Sequence, residues 1–330
     1  MDYALIAYLF LAFGMVMYVV LDGFDLGVGI LLPFARDAGE RELMIASVAP
    51  VWDGNETWLV LGGAVLFAAF PMAYGILLSA WYVPLSLMLC ALVLRGVAFE
   101  YRPEARWKGL WSTSLVAGSL LAAFCQGAML GSFVHGLQVS GHRYSGGMWD
   151  WLTPFSLMTG VAVAAGYSLL GATWLILKTE GALQARSYRL ARPLTLVLIF
   201  FFALVSVWTP LSQPAIARRW FDFPAIAWLA PLPLASVVAS VVLWRSLEKR
   251  RELAPFMLGV ALFLLALVGL FYSLWPYIVP RTLTVWEAAS PPATLGFILV
   301  GVLVLVPFVL GYTLHTYRLF RGKTAVDGYG

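Results

Sequence analysis

Uninterrupted apolar runs of about twenty residues recur along this 330-residue chain, and they constrain its fold more than any other feature. A helix of that length crosses a hydrocarbon core of about 30 Å, whereas a membrane β-strand needs only about ten alternating residues. Hydrophobic residues make up 62% of the chain, against about 45–50% in soluble domains, and the mean hydropathy is +0.86. We therefore predict an all-α integral membrane protein whose backbone hydrogen bonds close within each helix.

Charged or Pro/Gly-rich breaks divide the runs into about nine transmembrane helices, which form a single membrane domain over residues 1–330. The first run lacks a basic n-region and a small-residue cleavage site, so we expect a retained span. The longest external connection, about 135–152, is too short for a soluble domain. The predicted spans are about 4–33, 44–70, 74–97, 112–134, 153–178, 193–210, 225–244, 255–277 and 293–316.

Basic residues fall mainly on one side of this predicted topology. Alternate connections carry 17 of the 21 Lys and Arg residues, and the opposite side carries the other four. The positive-inside rule then predicts a cytoplasmic C-terminus and an external N-terminus. The basic pI near 9.1 is explained by this topology. We therefore predict that the protein contacts membrane lipids and binds no nucleic acid.

Two acidic stretches lie inside apolar runs. Asp22 and Asp25 are three residues apart and share one face of a helix, and Gly23 and Gly27 beside them allow close approach of a neighbouring backbone. A single acid at the centre of a bilayer costs about 2.5 to 3.5 kcal/mol. These carboxylates therefore need partners, water or a function.

The second stretch places Asp53, Asn55 and Glu56 in the next span. Because neighbouring spans run antiparallel, we expect the four acids and Asn55 to lie at a similar depth in the cytoplasmic half. Such a cluster suits a group that takes up and releases protons. Two other interpretations stay open: the acids pair structurally with each other or with an Arg, or they line an aqueous face of a shorter helix.

Other candidate residues surround these stretches. Trp52 and Trp58 flank the second one, either as packing residues or at the edge of a cavity open to a gas or a quinone. Arg95 is placed to reach inward and pair with an acid of the first or second span. Glu100 is either a membrane-surface residue or the entrance of a proton path.

The histidines argue against a metal centre in this chain. His135 and His142 belong to the external connection, and His315 lies near the cytoplasmic end of the last span. No pair shares a depth on facing helices, and the two cysteines form no CxxC motif. We therefore predict no metal site and no catalytic residue here, and any haem would be held by another chain.

These residues resemble subunit II of the cytochrome bd-type quinol oxidases, nearly from end to end. The stretch around Trp52 is the most specific for this family, and the sequence of residues 56–63 is most similar to the cyanide-insensitive branch. The matching segments are Asp22–Gly29, Ala49–Trp58, Leu66–Pro71, Arg95–Arg102, Leu283–Ser290 and Gly311–Thr313.

The resemblance implies a fold and a complex. The nine spans would form two four-helix bundles plus one additional helix, pseudo-symmetric with a haem-bearing subunit I. The complex would oxidise quinol and reduce oxygen to water with cytoplasmic protons, in the bacterial cytoplasmic (inner) membrane, with the N-terminus periplasmic. Haems b and d (or b alone) and the main quinol site would belong to subunit I. A structural quinone and a single-span accessory subunit are further expectations.

The resemblance also assigns residue roles. The carboxylates Asp22, Asp25 and Asp53 would belong to a hydrophilic path toward the haems, and Trp58 would lie near a hydrophobic oxygen route. Glu56 departs from relatives that carry Gln there, which weakens its proton role. We predict a subunit that supports subunit I and supplies a proton route, with Asn55, Glu56 and Glu100 as further members. The rival function is a proton- or cation-coupled transporter, and a third is a purely structural scaffold.

Overall fold

Helices form most of the chain. The computed structural model describes residues 1–325 and the backbone of residues 328–329. A 3-10 turn at Leu32–Phe34 follows the first helix. The α-helices in the described part are α1 (Tyr3–Leu31), α2 (Ala38–Ala46), α3 (Trp52–Ala69), α4 (Pro71–Ala80), α5 (Tyr82–Tyr101), α6 (Lys108–His135), α7 (Pro154–Lys178), α8 (Gly181–Ser212), α9 (Pro214–Phe221), α10 (Ala225–Leu229), α11 (Pro231–Glu248), α12 (Leu253–Leu274), α13 (Val285–Ala288) and α14 (Pro292–Leu319).

Short antiparallel hairpins occupy connections between helices and the end of the chain. The first joins α6 to α7, the second joins α12 to α13, and the third follows α14. Their strands are β1 (Val139–Ser140) with β2 (Arg143–Tyr144), β3 (Tyr277–Val279) with β4 (Leu283–Thr284), and β5 (Thr324–Ala325) with β6 (Gly328–Tyr329).

Eight of the described helical segments are long and apolar enough to cross a membrane, and they include α1, α5, α6, α7, α8, α12 and α14. The eighth runs through α10 and α11, over Ala225–Glu248. The 18-residue helix α3 is not one of these eight segments, and it carries Asp53 and Glu56 in its first turns. It lies antiparallel along α1, since Gly62 approaches Gly14 while Asn55 reaches Leu21. With α3, the described residues contain about nine spans, the number that the sequence predicts.

The predicted span 44–70 is wrong at its start. The structure divides it into α2 and α3, and residues 47–51 between them do not continue either helix. Pro50 explains the break, because it has no N–H to donate and disfavours helical geometry at the preceding residue. Asp53 and Glu56 therefore lie in the first turns of α3 rather than in the middle of a longer helix.

The predicted span 74–97 is displaced for the same kind of reason. It divides at Trp81 into α4 and α5, and the membrane-crossing part is α5. Pro84 cannot donate to the carbonyl of Ala80, so a continuous helix would lose a hydrogen bond there. The span 225–244 likewise divides before Pro231, the first residue of α11.

The spans contact their neighbours in the chain, and α6 packs on α7, which joins the first four spans to the next four. Among the first four, α1 contacts α3 and α6, and α5 contacts α6; the next four, α7, α8, α11 and α12, contact each other in sequence order. Helix α14 packs on α1 and α3. Helix α1 also crosses α7, and this contact requires glycine: a Cβ at Gly27 would lie 1.8 Å from the carbonyl oxygen of Tyr167, and Gly171 of α7 faces it.

Candidate functional site

A fully buried arginine holds three carboxylates together. Arg95 lies in the last two turns of α5 and its side chain has no exposed surface. Its Nη1 donates to Asp22 Oδ1 at 2.8 Å and to Glu56 Oε1 at 2.6 Å, and its Nη2 lies 4.0 Å from Asp25 Oδ2. We call Asp22, Asp25, Glu56 and Arg95 the acid cluster.

Local structure places the carboxylates of the cluster. Asp22 and Asp25 share a face of α1 and are buried, as expected for residues three apart on a helix. Glu56 comes from the second turn of α3, next to the broken segment before that helix, and its side chain is 21% exposed. Two acids of the cluster are therefore sealed inside the protein, and the third reaches its surface.

Asn55 connects the acid cluster to the last helix. Its Nδ2 donates to Asp25 Oδ2 at 2.6 Å and to the carbonyl of Leu21 at 3.3 Å. Its Oδ1 accepts from the hydroxyl of Tyr317 on α14 at 3.1 Å. One buried amide thus joins α1, α3 and α14 beside Asp25.

A second polar network, made only of neutral groups, lies next to Asp22. The hydroxyl of Tyr167 donates to Gln126 Oε1 at 2.8 Å, and Gln126 Nε2 donates to the hydroxyl of Tyr18 at 2.7 Å. Tyr18 lies one turn before Asp22 on the same face of α1. Because the Tyr18 oxygen accepts from Gln126, its own proton remains to be donated. We call Tyr18, Gln126 and Tyr167 the neutral chain.

The acid cluster holds more carboxyl groups than cations. Three carboxyl groups surround one guanidinium, so full ionisation would place two excess negative charges in a region that water barely reaches. That arrangement is costly, and binding protons relieves it. In addition, Asp22 Oδ2, Asp25 Oδ1, Arg95 Nε and Arg95 Nη2 have no hydrogen-bond partner among the described residues. The site can therefore accept protons and further hydrogen bonds.

The structure leaves two predicted path residues outside this contact network. Asp53 is exposed in the first turn of α3, and Glu100 is exposed near the end of α5. Asp53 precedes Glu56 by one turn, so the two carboxylates follow each other along α3. Within the described residues, neither Asp53 nor Glu100 forms an ion pair.

The two tryptophans occupy different environments. The Trp52 ring stacks on Phe99 of α5 with centroids 5.0 Å apart and an interplanar angle of 10°. Trp58 is fully buried, and Phe13 of α1 meets it edge to face with centroids 5.5 Å apart. Trp52 therefore packs beside the acid cluster, whereas Trp58 lies in an apolar core.

Sequence reasoning missed the hydrogen-bonding residues around the acids: Tyr18, Gln126, Tyr167 and Tyr317. A signal existed for Tyr18, which precedes Asp22 by four residues and shares its helical face. Gln126 stood out as an amide within the apolar run of α6. No pattern of spacing indicated that Tyr167 or Tyr317 faces this site, because both depend on how α7 and α14 rotate.

A third polar contact lies outside the spans, where α2 meets the end of α5. Arg102 donates to both oxygens of Glu42, at 2.7 and 2.9 Å, and to Ser112 at 2.9 Å. These hydrogen bonds from the guanidinium lower the pKa of the Glu42 carboxyl. The pair fastens the short helix α2 to the membrane helices.

The ligand set of this chain does not fit a haem. His135 ends α6, His142 lies in the β1–β2 turn and His315 is exposed on α14. In the part of the chain that the structure describes, no three His, Cys, Asp or Glu side chains are grouped to hold a metal ion. No step of the chemistry is therefore assigned to a haem on this chain.

A family model for cytochrome bd terminal oxidase subunit II matches residues 3–320. This chain belongs to that family. The resemblance predicted from the sequence is thereby confirmed, and the chain is a subunit of a membrane quinol oxidase. With its long apolar helices, this bd oxidase subunit II is a multi-pass protein of a bacterial membrane.

Individual relatives agree with the family. Cytochrome bd-I ubiquinol oxidase subunit 2 of Escherichia coli K12 is 32% identical, over 93% of this chain and 91% of the relative. Cytochrome bd ubiquinol oxidase subunit 2 of Bacillus subtilis 168 is 29% identical, over 98% of this chain and 96% of the relative.

A solved structure matches the fold. A chain in the structure of bd oxidase from Geobacillus thermodenitrificans superposes with a TM-score of 0.77, covering 97% of this chain and 99% of its own, at 17% identity. This match confirms the predicted all-α membrane fold with about nine spans.

Proposed function

We propose that this subunit supports a haem-bearing subunit I and delivers cytoplasmic protons to the site where that partner reduces oxygen. The haems and the quinol site belong to subunit I in this proposal, because the described histidines are not grouped with other possible metal ligands. Quinol is the electron donor of the complex. The N-terminus is periplasmic and the C-terminus cytoplasmic, as the distribution of basic residues predicts.

One observation carries the proton role: Arg95 Nη1 contacts both Asp22 and Glu56, with Asp25 beside them. A structural ion pair needs one acid for each base. Here two further carboxyl groups compete for the same guanidinium, so a proton can bind one of them while the others stay paired with Arg95. The cluster is thus able to hold a proton and pass it between neighbouring carboxylates.

The exposure of Asp53 and Glu56 suggests how the proton path continues from the acid cluster to the surface. Asp53 and Glu56 follow each other along α3 from the surface toward Arg95, and an exposed carboxylate facing lipid at this depth is unfavourable. We place Asp53 against subunit I or against water at its edge. Asp22, Asp25 and Glu56 form the buried part of the path, Asn55 orients Asp25, and Glu100 lies at the cytoplasmic surface.

Replacement of Asp25 by Asn tests the proton role. The substitution keeps the shape and removes a protonatable group, so we expect oxygen-reduction turnover to fall by about tenfold or more. Asp53→Asn should reduce turnover less, and Asp222→Asn, an exposed residue between α9 and α10, is the matched control. Unchanged turnover of Asp25→Asn and Asp53→Asn in a fully haem-loaded complex would reject the proton role and leave the scaffold interpretation.

Membership of the bd oxidase family argues against the alternative function as a transporter. A purified complex should show a haem Soret band and contain a second large membrane subunit. A colourless monomer or homodimer that binds a cation would contradict the oxidase assignment.

A second proposal concerns oxygen. Trp58 lies in the apolar core formed by α1, α3, α4, α13 and α14, which includes Leu61 and Val65. Oxygen is apolar and partitions into such regions, so we propose that it approaches subunit I past Trp58. Trp58→Leu should change the KM for oxygen and leave the turnover at saturating oxygen within about twofold. An unchanged KM would leave Trp58 as a packing residue.

A further inference from the structure

Exposed basic residues are grouped where the start of α8 meets the turn between α11 and α12. The hydroxyl of Tyr188 on α8 donates to the carbonyl of Arg251 at 3.1 Å, and Gln184 Nε2 donates to Glu252 Oε1 at 2.8 Å, so both elements lie at one membrane surface. By the predicted topology this surface is cytoplasmic. We call the group the basic patch, and its members are Arg189, Arg192, Arg245, Lys249, Arg250 and Arg251.

The chain itself does not neutralise the basic patch. None of its members forms an ion pair with a carboxylate among the described residues. The two carboxylates of the turn have other partners, since Glu248 accepts from Trp244 Nε1 at 2.9 Å and Glu252 pairs with Lys323 at 2.7 Å. The patch therefore presents an excess of positive charge to an anion from outside the chain.

On α8, an exposed apolar stripe leads from the basic patch into the membrane. Leu196 and Phe200 follow Arg192 at intervals of four residues, so the three share one face of the helix. Leu196 is 54% exposed and Phe200 is 60% exposed. The stripe extends about 12 Å beyond Arg192, which is close to the ~15 Å that one leaflet contributes to the hydrocarbon core.

A matching stripe lies on the antiparallel neighbour α11. Val241, Val238 and Leu234 precede Arg245 with helical spacing, which places them on one face, and all three are exposed. This stripe extends about 16 Å from Arg245. Each helix thus places an arginine at the boundary of the hydrocarbon core, beside an apolar surface about as long as one leaflet is thick.

Arg250 occupies a position where glycine would be less strained. At the end of α11 the Arg250 N–H donates to the carbonyl of Leu247 at 3.3 Å, and the Arg251 N–H donates to that of Ser246 at 3.0 Å. Helix ends with this pattern usually carry glycine at the left-handed residue, but here Arg250 adopts φ +50°. A charged side chain retained in a conformation that favours glycine points to a use for its charge.

We propose that the basic patch binds the phosphate of an anionic phospholipid, whose acyl chains lie along the two apolar stripes. The phosphate supplies the negative charge and the acceptor oxygens that guanidinium groups bind. Basic surfaces between the cytoplasmic ends of membrane helices commonly bind such headgroups. Helix α8 packs on α7, and α11 packs on α12, whereas Asp53, which we place against subunit I, belongs to α3. The lipid site therefore does not depend on the proposed proton role.

The test measures lipid binding to the purified, haem-loaded complex after its bound lipid has been removed with detergent. Phosphatidylglycerol is the probe, phosphatidylcholine is the lipid without net charge, and glycerol 3-phosphate is the anion without acyl chains. Native mass spectrometry counts the bound molecules, and the haem spectrum checks assembly.

Two double variants with the same change in charge are compared. Arg192→Gln with Arg245→Gln removes one cation of the patch from each helix. Arg106→Gln with Arg321→Gln is the matched control, because both arginines are exposed outside the helices and form no ion pair among the described residues.

We expect the wild type to bind phosphatidylglycerol about tenfold more tightly than phosphatidylcholine, and the patch variant to lose about tenfold in affinity for phosphatidylglycerol. The control variant should bind like the wild type, and salt should weaken the preference for the charged lipid because it screens the patch. Arg250→Gly should weaken binding by about threefold without lowering the unfolding temperature of the lipid-free complex, since glycine relieves the backbone.

Several outcomes would overturn the lipid site. Equal affinities of the patch variant and the control variant for phosphatidylglycerol would leave the six basic residues as topology signals alone. Equal binding of the two lipids by the wild type, or no binding because subunit I covers the patch, would also reject it. Glycerol 3-phosphate that competes as well as the lipid would show that the stripes play no part. Should the patch variant not assemble, the affinity of Arg250→Gly decides.

Discussion

The acid cluster and the neutral chain meet at Asp22, yet they solve the problem of burial in different ways. In the neutral chain Tyr167 donates to Gln126 and Gln126 donates to Tyr18, so both contacts are ordinary uncharged hydrogen bonds. In the acid cluster a single nitrogen of Arg95 donates hydrogen bonds to two carboxylates. The first network is nearly satisfied, whereas the second leaves four buried polar atoms without hydrogen-bond partners among the described residues.

This difference distinguishes polar groups that contribute to stability from polar groups that contribute little to it. A neutral network contributes modest stability and can be replaced as a unit by apolar groups of similar shape. A buried ion cluster gains little net stability from its charges, since desolvation offsets their attraction. An incomplete charged network next to a nearly complete neutral one is therefore the contrast that the proposed proton role predicts. The predictions below test that contrast, from the largest expected effect to the smallest.

Removal of the central cation should have the largest effect. Arg95→Leu leaves Asp22, Asp25 and Glu56 without a positive partner, and breaking a buried ion pair costs about 3–5 kcal/mol. We expect the complex to lose subunit II or to unfold at a markedly lower temperature, measured by haem content and by thermal unfolding of the purified complex.

Arg95→Lys is the matched control for this change. It keeps the charge but loses the planar guanidinium that reaches several carboxylates at once, so its unfolding temperature should lie between those of Arg95→Leu and the wild type. A wild-type unfolding temperature for Arg95→Leu would show that the acids are neutral without the arginine, which would remove the distinction between the two networks.

The contact between α1 and α7, which supports the neutral chain, should be the next most sensitive to substitution. Gly27→Ala would place a methyl group 1.8 Å from the Tyr167 carbonyl oxygen, so α1 and α7 must separate. Overpacking costs about 1–3 kcal/mol and occasionally more. Thermal unfolding should show a clear loss, whereas Gly63→Ala, with open space around it, should be neutral or slightly stabilising. Equal effects of the two substitutions would contradict the close crossing.

The neutral chain itself should show strong non-additivity. Gln126→Leu leaves two buried tyrosine hydroxyls without their partner and should cost about 1–3 kcal/mol. The triple variant Tyr18→Phe, Gln126→Leu, Tyr167→Phe removes all the polar groups together and should be closer to the wild type than Gln126→Leu alone. Thermal unfolding of the set measures this coupling, and additive losses would show that the chain is not a self-contained network.

Turnover of the same triple variant sharpens the comparison. Since the neutral chain contains no group that exchanges protons readily at neutral pH, oxygen reduction should stay within about threefold of the wild type. A loss as deep as that of Asp25→Asn would place the tyrosines on the proton route.

The sequence was most informative where spacing alone decides geometry. Residues three apart place Asp22 and Asp25 on one face, and the order of the spans suggested that Arg95 reaches an acid of the first two spans; in the structure it contacts both. Helix rotation could not be read in this way. Asp53 and Glu56 have the same spacing, but α3 turns Glu56 toward Arg95 and leaves Asp53 at the surface. The faces that carry Gln126 and Tyr167 depend on tertiary packing, which no local pattern reports.

The smallest expected effect concerns the ion pair between Glu42 and Arg102, which lies outside the spans. Their two hydrogen bonds lie at a partly exposed site, so Glu42→Gln should cost only about 1 kcal/mol at neutral pH. Because folding lowers the pKa of Glu42, the stabilisation is present above the unfolded pKa of about 4.3 and is lost as the pH falls through the lower folded value. The unfolding temperatures of wild type and Glu42→Gln should therefore differ at pH 7 and converge as the pH falls below about 4. A difference that is constant with pH would mean that the carboxylate charge contributes nothing to this partly buried pair, and that the contrast between it and the fully buried acid cluster rests on shape alone.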